Sequence, residues 1–381
     1  MIHEYEICEG DKVVVFGASI GGKLITQCLN RNKVEVLFLC DNTTDKKEFE
    51  GLDVFLPDKL REQQYKIIVA VNRSFRSVYK CLQDIGYDEV YVASKLLSQY
   101  SIDDFVIDSA SIVSAQEFLT TYPINVSNRN SFNGRLSSLE VFITEKCTLR
   151  CMDCLHLIPH YKSPKDYDVD EIINYLFNVC MVVDYIEEIF ILGGEPLLYK
   201  KLDKLLRWCY QCEKIGKIII ITNGCVLPSE NILNAIKHTK PTMRISDYGK
   251  HSYKLQEIVS VLVQNEIENH VQNDPWIRMG DLYNRQYSQE ELADITVSCP
   301  FAMDLILLGG RLWRCVHIAH INNLGLYKSH EQDSIDFSCV VDVQKKKAEL
   351  EALLMKDSLI GCNFCDGYNL SKKVTPAIQL S

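Results

Sequence analysis

Nowhere along the 381 residues do about eighteen apolar positions follow one another without a charge, the length a helix needs to cross a bilayer, and no membrane span is expected. Cationic charge is in deficit: 41 lysines and arginines face 51 aspartates and glutamates, for a net charge of −10. Binding to DNA or RNA draws on counterion release to a basic surface, so a nucleic-acid partner is not expected. The first residues, "MIHEYEICEGDK", contain neither the basic nor the apolar stretch of a secretion signal, which predicts a cytoplasmic protein. Internal repeats and low-complexity tracts are absent as well. What remains is an ordinary globular composition, 47% apolar and 24% charged, over a length that predicts two or three domains. Cysteine is the exception. Sixteen of them in a reducing compartment read as free thiols, and clustered ones as metal ligands or catalysts.

Residues 1–105 alternate between apolar strands and helical patterns. "KVVVFGASIGGKLITQCLN" is a strand, a glycine turn and a helix, and "VEVLFLCDN", "YKIIVAVN" and "DEVYVA" are further strands. Buried strands alternating with helices predict a Rossmann-like parallel sheet. In the turn, Ser19 stands where the dinucleotide fingerprint has its middle glycine, and Asp41 lies near the place of the acid that binds a ribose hydroxyl. Two readings stay open: a nucleotide or nucleotide-sugar site at the helix N-terminus, or a docking domain that keeps the turn without a ligand. The segment resembles the N-terminal domain found on many sugar-modifying and polysaccharide-locus proteins. Residues 106–135, with "TTYPINVSNRNSFNGR", are rich in turn formers and predict a linker.

A second strand and helix series occupies residues 136–293, with polar or glycine-rich residues at the strand ends: the cysteine loop after "LEVFIT", then GGEP, TNG and SDYG. That pattern predicts a full or partial (β/α) barrel with its chemistry at the C-terminal ends of the strands. Residues 294–381 change character, with a hairpin "MDLILLGGRLWRCVHI", a charged helix "DVQKKKAELEALLMK" and the terminal "GCNFCDGY".

The stretch "EKCTLRCMDCLH" places Cys147, Cys151 and Cys154 within eight residues. Structural zinc takes four ligands, usually as two separated pairs. A [4Fe-4S] cluster held by three cysteines keeps one iron open to an exchangeable ligand. The spacings of four and three also match one face of a helix, so buried core thiols are the alternative. Lys146, Thr148, Arg150 and Asp153 among the cysteines give the run the composition of a polar loop, which favours a cluster.

CxxxCxxC after the first barrel strand, with GGEP after the second, resembles the radical S-adenosylmethionine enzymes over residues 139–381. The resemblance implies a partial (β/α)6 barrel. It also implies that the open iron is chelated by the amino and carboxylate groups of S-adenosylmethionine. Gly193, Gly194 and Glu195 match the segment that receives the amino group, the glycines allowing close approach and the carboxylate pairing with an ammonium. Asn223 and Ser246 match strand-end positions that contact the ribose or carboxylate. The implied chemistry is reductive cleavage to a 5′-deoxyadenosyl radical that abstracts hydrogen from an unactivated C–H bond, with the electron coming from a reductant such as flavodoxin or ferredoxin. Asp153 departs from the family, which has an aromatic at that position near the adenine.

Cys299 and Cys315 bracket the hairpin, and Cys362 and Cys365 form a distant CxxC. By ligand count the four suit zinc. Beside the first motif they resemble the twitch domain, a small α+β relative of the SPASM domain that holds a second, auxiliary [4Fe-4S] cluster; Cys339 is a spare ligand. Asp247 and Tyr248, at a barrel strand end, are placed to face substrate, and Cys225 is a conceivable hydrogen donor. His317 and His320 have no identified partner in the sequence. Cys209 and Cys212, inside a helix, read as structural thiols, as do Cys8, Cys28, Cys40, Cys81 and Cys180.

These features predict an enzyme that oxidises, epimerises or otherwise modifies a carbohydrate or nucleotide-linked sugar through a substrate radical. Peptide or protein maturation is the alternative reading, although no winged-helix leader-binding segment is present. A non-catalytic metal-binding interaction protein is a third, opposed by GGEP beside the cysteines.

Overall fold

The computed structural model describes residues 1–42, 47–72, 74–128, 132–328, 330–339 and 342–380. The chain divides into two compact units, residues 1–130 and 131–381.

The first unit is built on strands β1 (Ile2–Glu4), β2 (Lys12–Phe16), β3 (Glu35–Cys40), β4 (Glu48–Phe49), β5 (Leu52–Phe55), β6 (Lys66–Val69) and β7 (Val90–Val92). They form one sheet in the order β1-β7-β6-β2-β3-β5-β4, parallel except at β4. Val13, Val14 and Val15 of β2 are fully buried, as expected of a central strand covered on both faces. Helices α1 (Ile20–Arg31), α2 (Phe75–Asp84), α3 (Ser94–Leu97) and α4 (Ile112–Ser127) complete the unit. A Cβ on Gly22 would lie 1.9 Å from the Gly17 carbonyl oxygen, and one on Gly21 2.3 Å from that of Ala70, so packing alone demands both glycines. The Asp41 carboxylate accepts the Ala18 N–H at 2.8 Å.

The segment expected as a linker carries α4. Phe118 and Tyr122, one turn apart, stack with centroids 4.7 Å apart, and the buried Tyr122 hydroxyl donates to the Val69 carbonyl at 2.6 Å. Pro123 and the Ser, Thr and Asn around it hid this helix; tertiary burial of the aromatic pair outweighs their weak helix propensity. Residues 129–131 of that segment lie outside the described residues.

In the second unit, β8 (Arg135–Phe142), α5 (Val169–Val182), β9 (Tyr185–Leu192), α6 (Leu202–Gln211), β10 (Ile215–Thr222), α7 (Glu230–Thr239), β11 (Thr242–Ser246), α8 (Leu255–Gln264) and β12 (Asn269–Gln272) alternate along the chain. Their strands lie parallel in the order β12-β11-β10-β9-β8. The short β13 (Trp276–Ile277), α9 (Gln289–Ser298), β14 (Leu305–Leu308), β15 (Arg311–Arg314), α10 (Val316–Asn323), β16 (Ser334–Asp336), α11 (Val343–Met355) and β17 (Lys373–Val374) follow. The predicted hairpin is present as β14–β15. Its turn residues Gly309 and Gly310 have φ of +59° and +78°, the signs that a two-residue primed turn requires. All four residues of β14 are buried, and it pairs in parallel with β8, so the hairpin extends the barrel sheet. Residues 136–293 and 294–381, expected as separate domains, therefore share one sheet.

Candidate active site

The cysteine loop is fastened to the GGEP segment by a continuation of the β8–β9 ladder. Ile143 N–H donates to the Leu192 carbonyl at 3.0 Å, Gly194 N–H to that of Thr144 at 2.7 Å, and Glu195 N–H to that of Lys146 at 2.8 Å. A Cβ on Gly194 would fall 2.3 Å from the Lys146 oxygen and 2.9 Å from the Cys147 Cβ. Only glycine lets the two backbones meet this closely.

Glu195 is fully buried. Its carboxylate accepts the Leu197 N–H at 3.0 Å, the Thr222 hydroxyl at 2.8 Å and the Asn223 N–H at 2.9 Å. The side chain thus braces the TNG strand end against GGEP. Burial pushes its pKa up to about 7, against the lowering effect of those three donors. Asn223 in turn reaches the cysteine loop, its Nδ2 donating to Thr148 Oγ1 at 3.1 Å and to Cys147 Sγ at 3.5 Å.

Cys147 and Cys154 are half-buried and Cys151 is buried. Desolvation raises all three thiols, Cys147 to about 12 and Cys154 to about 11. Residues 377–380 run antiparallel to this loop. Met152 N–H donates to the Ile378 carbonyl and Leu380 N–H to that of Arg150, both at 2.8 Å, and Gln379 Nε2 donates to Cys151 Sγ at 3.2 Å. Sequence reading missed Gln379, because nothing local marks it as a neighbour of a residue 228 positions earlier.

The remaining strand-end residues fall into two kinds. Ser246 is buried at the end of β11, and Tyr248 beside it packs edge-on against Trp276, with centroids 5.5 Å apart, and against the cysteine loop. Asp247 is turned to its own backbone, accepting the Gly249 N–H at 2.8 Å, and the Cys225 thiol donates to the His251 carbonyl at 2.9 Å.

Cys299, Cys315, Cys362 and Cys365 are all buried and near enough to raise one another's pKa, with burial the larger cause. Cys315 has φ of +95°, a costly conformation for a residue with a Cβ. The fully buried Asp333 holds the CxxC turn, accepting the Ile360 and Gly361 N–H groups at 3.1 and 2.7 Å. Cys339 is exposed, its carbonyl accepting from Asn178 Nδ2 of α5 at 3.0 Å.

Between the two thiol groups lies a polar network the sequence did not announce. His156 Nδ1 and His320 Nε2 are 3.1 Å apart, the Tyr161 hydroxyl is 2.8 Å from His320 Nδ1, and Asn323 Nδ2 links Tyr161, Tyr167 and the buried Glu145. Burial lowers the His156 pKa to about 4 and that of His320 well below its ordinary value. His317, also buried, has no aligned hydrogen-bond partner for either ring nitrogen among the described residues.

A family model described as "C2185-like, N-terminal" matches residues 9–93. The GTP 3′,8-cyclase of Campylobacter jejuni subsp. doylei, a radical S-adenosylmethionine enzyme, is 25% identical over 169 residues, covering 44% of this chain and 53% of the cyclase. Over that stretch the chain is similar to radical S-adenosylmethionine enzymes. It spans about half the length of the curated relatives it matches. Among solved structures, the chain is similar to anSMEcpe with bound AdoMet, at TM-score 0.39 and 12% identity over 58% of this chain and 84% of that one. It is also similar to BtrN in complex with AdoMet and 2-DOIA, at TM-score 0.39 and 14% identity over 64% and 98%.

Cofactors of radical S-adenosylmethionine enzymes are a [4Fe-4S] cluster and S-adenosylmethionine. The donor set of this chain fits them: three thiols on one loop, closed against a glycine pair that a Cβ would obstruct. Among the described residues, no three His, Cys, Asp or Glu side chains gather as a single metal ion would require. A cubane cluster sets its thiolates further apart than one ion does. Among the described residues, no helix is long and apolar enough to cross a membrane.

Proposed function

We propose that residues 131–381 form a radical enzyme that oxidises, epimerises or similarly modifies a carbohydrate or nucleotide-linked sugar. When bound, the cofactors supply a 5′-deoxyadenosyl radical able to take hydrogen from an unactivated C–H bond. Cys147, Cys151 and Cys154 hold the cluster. The backbone of Gly193 and Gly194, with Asn223 and Ser246, lines the S-adenosylmethionine site, and Glu195 fixes that wall by tying GGEP to TNG. Tyr248, with Trp276, closes the site from the β11 side and excludes water. Asp247 shapes the turn before Gly249, and Cys225 packs beneath the loop, its thiol engaged by the His251 carbonyl. Cys299, Cys315, Cys362 and Cys365 hold a second, auxiliary [4Fe-4S] cluster in a twitch-like region, and the strain at Cys315 supports a ligand role. Residues 1–130, a Rossmann-like unit, present the substrate, and a cytoplasmic flavodoxin or ferredoxin delivers electrons.

The observation that carries this reading is the ladder joining the thiol loop to Gly194 and Glu195. Anaerobically reconstituted, reduced protein is expected to form 5′-deoxyadenosine from S-adenosylmethionine. Its absence in protein loaded with iron overturns the reading. A thermal-shift panel of nucleotide-sugars tests the substrate class.

A further inference from the structure

We propose that the cavity between Arg278 and Lys373 binds a phosphate or diphosphate group carried by the substrate. This deepens the preceding section and rests on its reading of residues 131–381 as a radical enzyme. The cavity, of about 330 Å³, is lined by Arg278, Arg285, Lys372 and Lys373 against Asp281 and Asp366, an excess of two positive charges in a chain whose net charge is −10. Its volume falls in the range of small-molecule sites.

The floor is built in advance. Arg285, its side chain 6% exposed, donates Nε to Asp366 at 2.6 Å and Nη1 to the Tyr283 carbonyl at 3.1 Å. Lys372 Nζ reaches the other Asp366 oxygen at 2.7 Å, and Arg278 pairs with Asp281 at 2.9 Å. Gly280 has φ of +93°, and a Cβ there would come within 2.5 Å of both the Arg285 guanidinium and the Asp366 carboxylate, so the backbone closes directly on this pair. Both carboxylates are thus committed to cations already. Lys373 has no carboxylate partner among the described residues, and the Arg278 side chain is 52% exposed. Unpaired Lys373 and the exposed face of Arg278 at the mouth suit a phosphate or diphosphate, for which arginine and lysine are the usual partners.

The cavity is joined to both thiol groups. Arg278 directly follows β13, whose Trp276 packs on Tyr248, and its Nε lies 4.0 Å from Asp153, the residue before Cys154. Asp366 directly follows Cys365. A substrate anchored here by its phosphates is held beside the two places where the chemistry is proposed. This also gives Asp153 a role that an aromatic there could not fill, as the acidic neighbour of Arg278.

Titration of the anaerobically reconstituted full chain with pyrophosphate, followed by calorimetry, tests the site. Lys373→Glu is expected to weaken binding at least tenfold, whereas Lys345→Glu, an exposed reversal on α11, leaves it unchanged. Failure of the wild type to bind pyrophosphate, equal binding by Lys373→Glu, or equal weakening by both variants overturns the proposal. Wild-type 5′-deoxyadenosine formation without pyrophosphate tests the radical site separately, so failure of either reading is recognised on its own.

Discussion

Cys147 and Cys154 are half-buried on a loop clamped between two strand ends, whereas Cys299, Cys315, Cys362 and Cys365 are each less than a tenth exposed inside apolar packing. The first group has backbone glycines and a polar wall beside it. The second is enclosed by Leu157, Ile158, Phe364 and the residues of α10. A cluster that must meet a small-molecule ligand needs an open side, and one that only holds or passes an electron is better kept from water. The different surroundings of the two groups suit that division.

Removing one member of each group is the strongest way to break the comparison. Cys151→Ala is expected to reduce iron from about eight to about four per chain and to abolish 5′-deoxyadenosine formation, read by iron assay and chromatography. Cys362→Ala is expected to lose the same share of iron while 5′-deoxyadenosine is still formed, with substrate oxidation lost. If both variants behaved alike, the two groups would not have separate roles.

Glu195→Gln places an amide donor in a carboxylate site whose neighbours are all donors. A loss of about 2 kcal/mol in unfolding free energy of the cluster-free protein is expected, measured by denaturant titration. His320 sharpens what lies between the groups. Its lowered folded pKa means the unfolded chain binds the extra proton, so stability is present above the unfolded value near 6.5 and is lost as pH falls below it. Unfolding at pH 7 and pH 5 should show a smaller acid loss in His320→Gln than in wild type. The smallest effect is expected from Gln379→Met, which keeps the packing but removes the donor to Cys151. Without that donor the thiol is harder to ionise, and a change of about 1 kcal/mol corresponds to roughly fivefold slower alkylation of Cys151 in cluster-free protein.

Much of the barrel was readable in advance, because alternating apolar strands and amphipathic helices carry their periods in the chain. The "KIIIIT" run became β10, and Gly309-Gly310 marked its own turn. Helix α4 was not readable, since its support is the contact of Phe118 and Tyr122 with the sheet. The cysteine loop and GGEP were found by spacing, but that Glu195 braces two strand ends was not readable, because Thr222 and Asn223 lie at the end of the next strand. Asp333, Gln379 and the His156–His320 pair left no local signature at all.

By itself, the sequence determined the chemistry on offer: three thiols at spacings of four and three, a glycine pair after the next strand, and four further cysteines. Such features are covalent or nearly so, and short-range geometry suffices to read them. Only the tertiary structure decided which thiols meet, that residue 379 returns to Cys151, and that four cations converge on one cavity. Those outcomes depend on burying apolar surface between elements far apart in the chain, and no local pattern encodes which distant side chains that burial brings together.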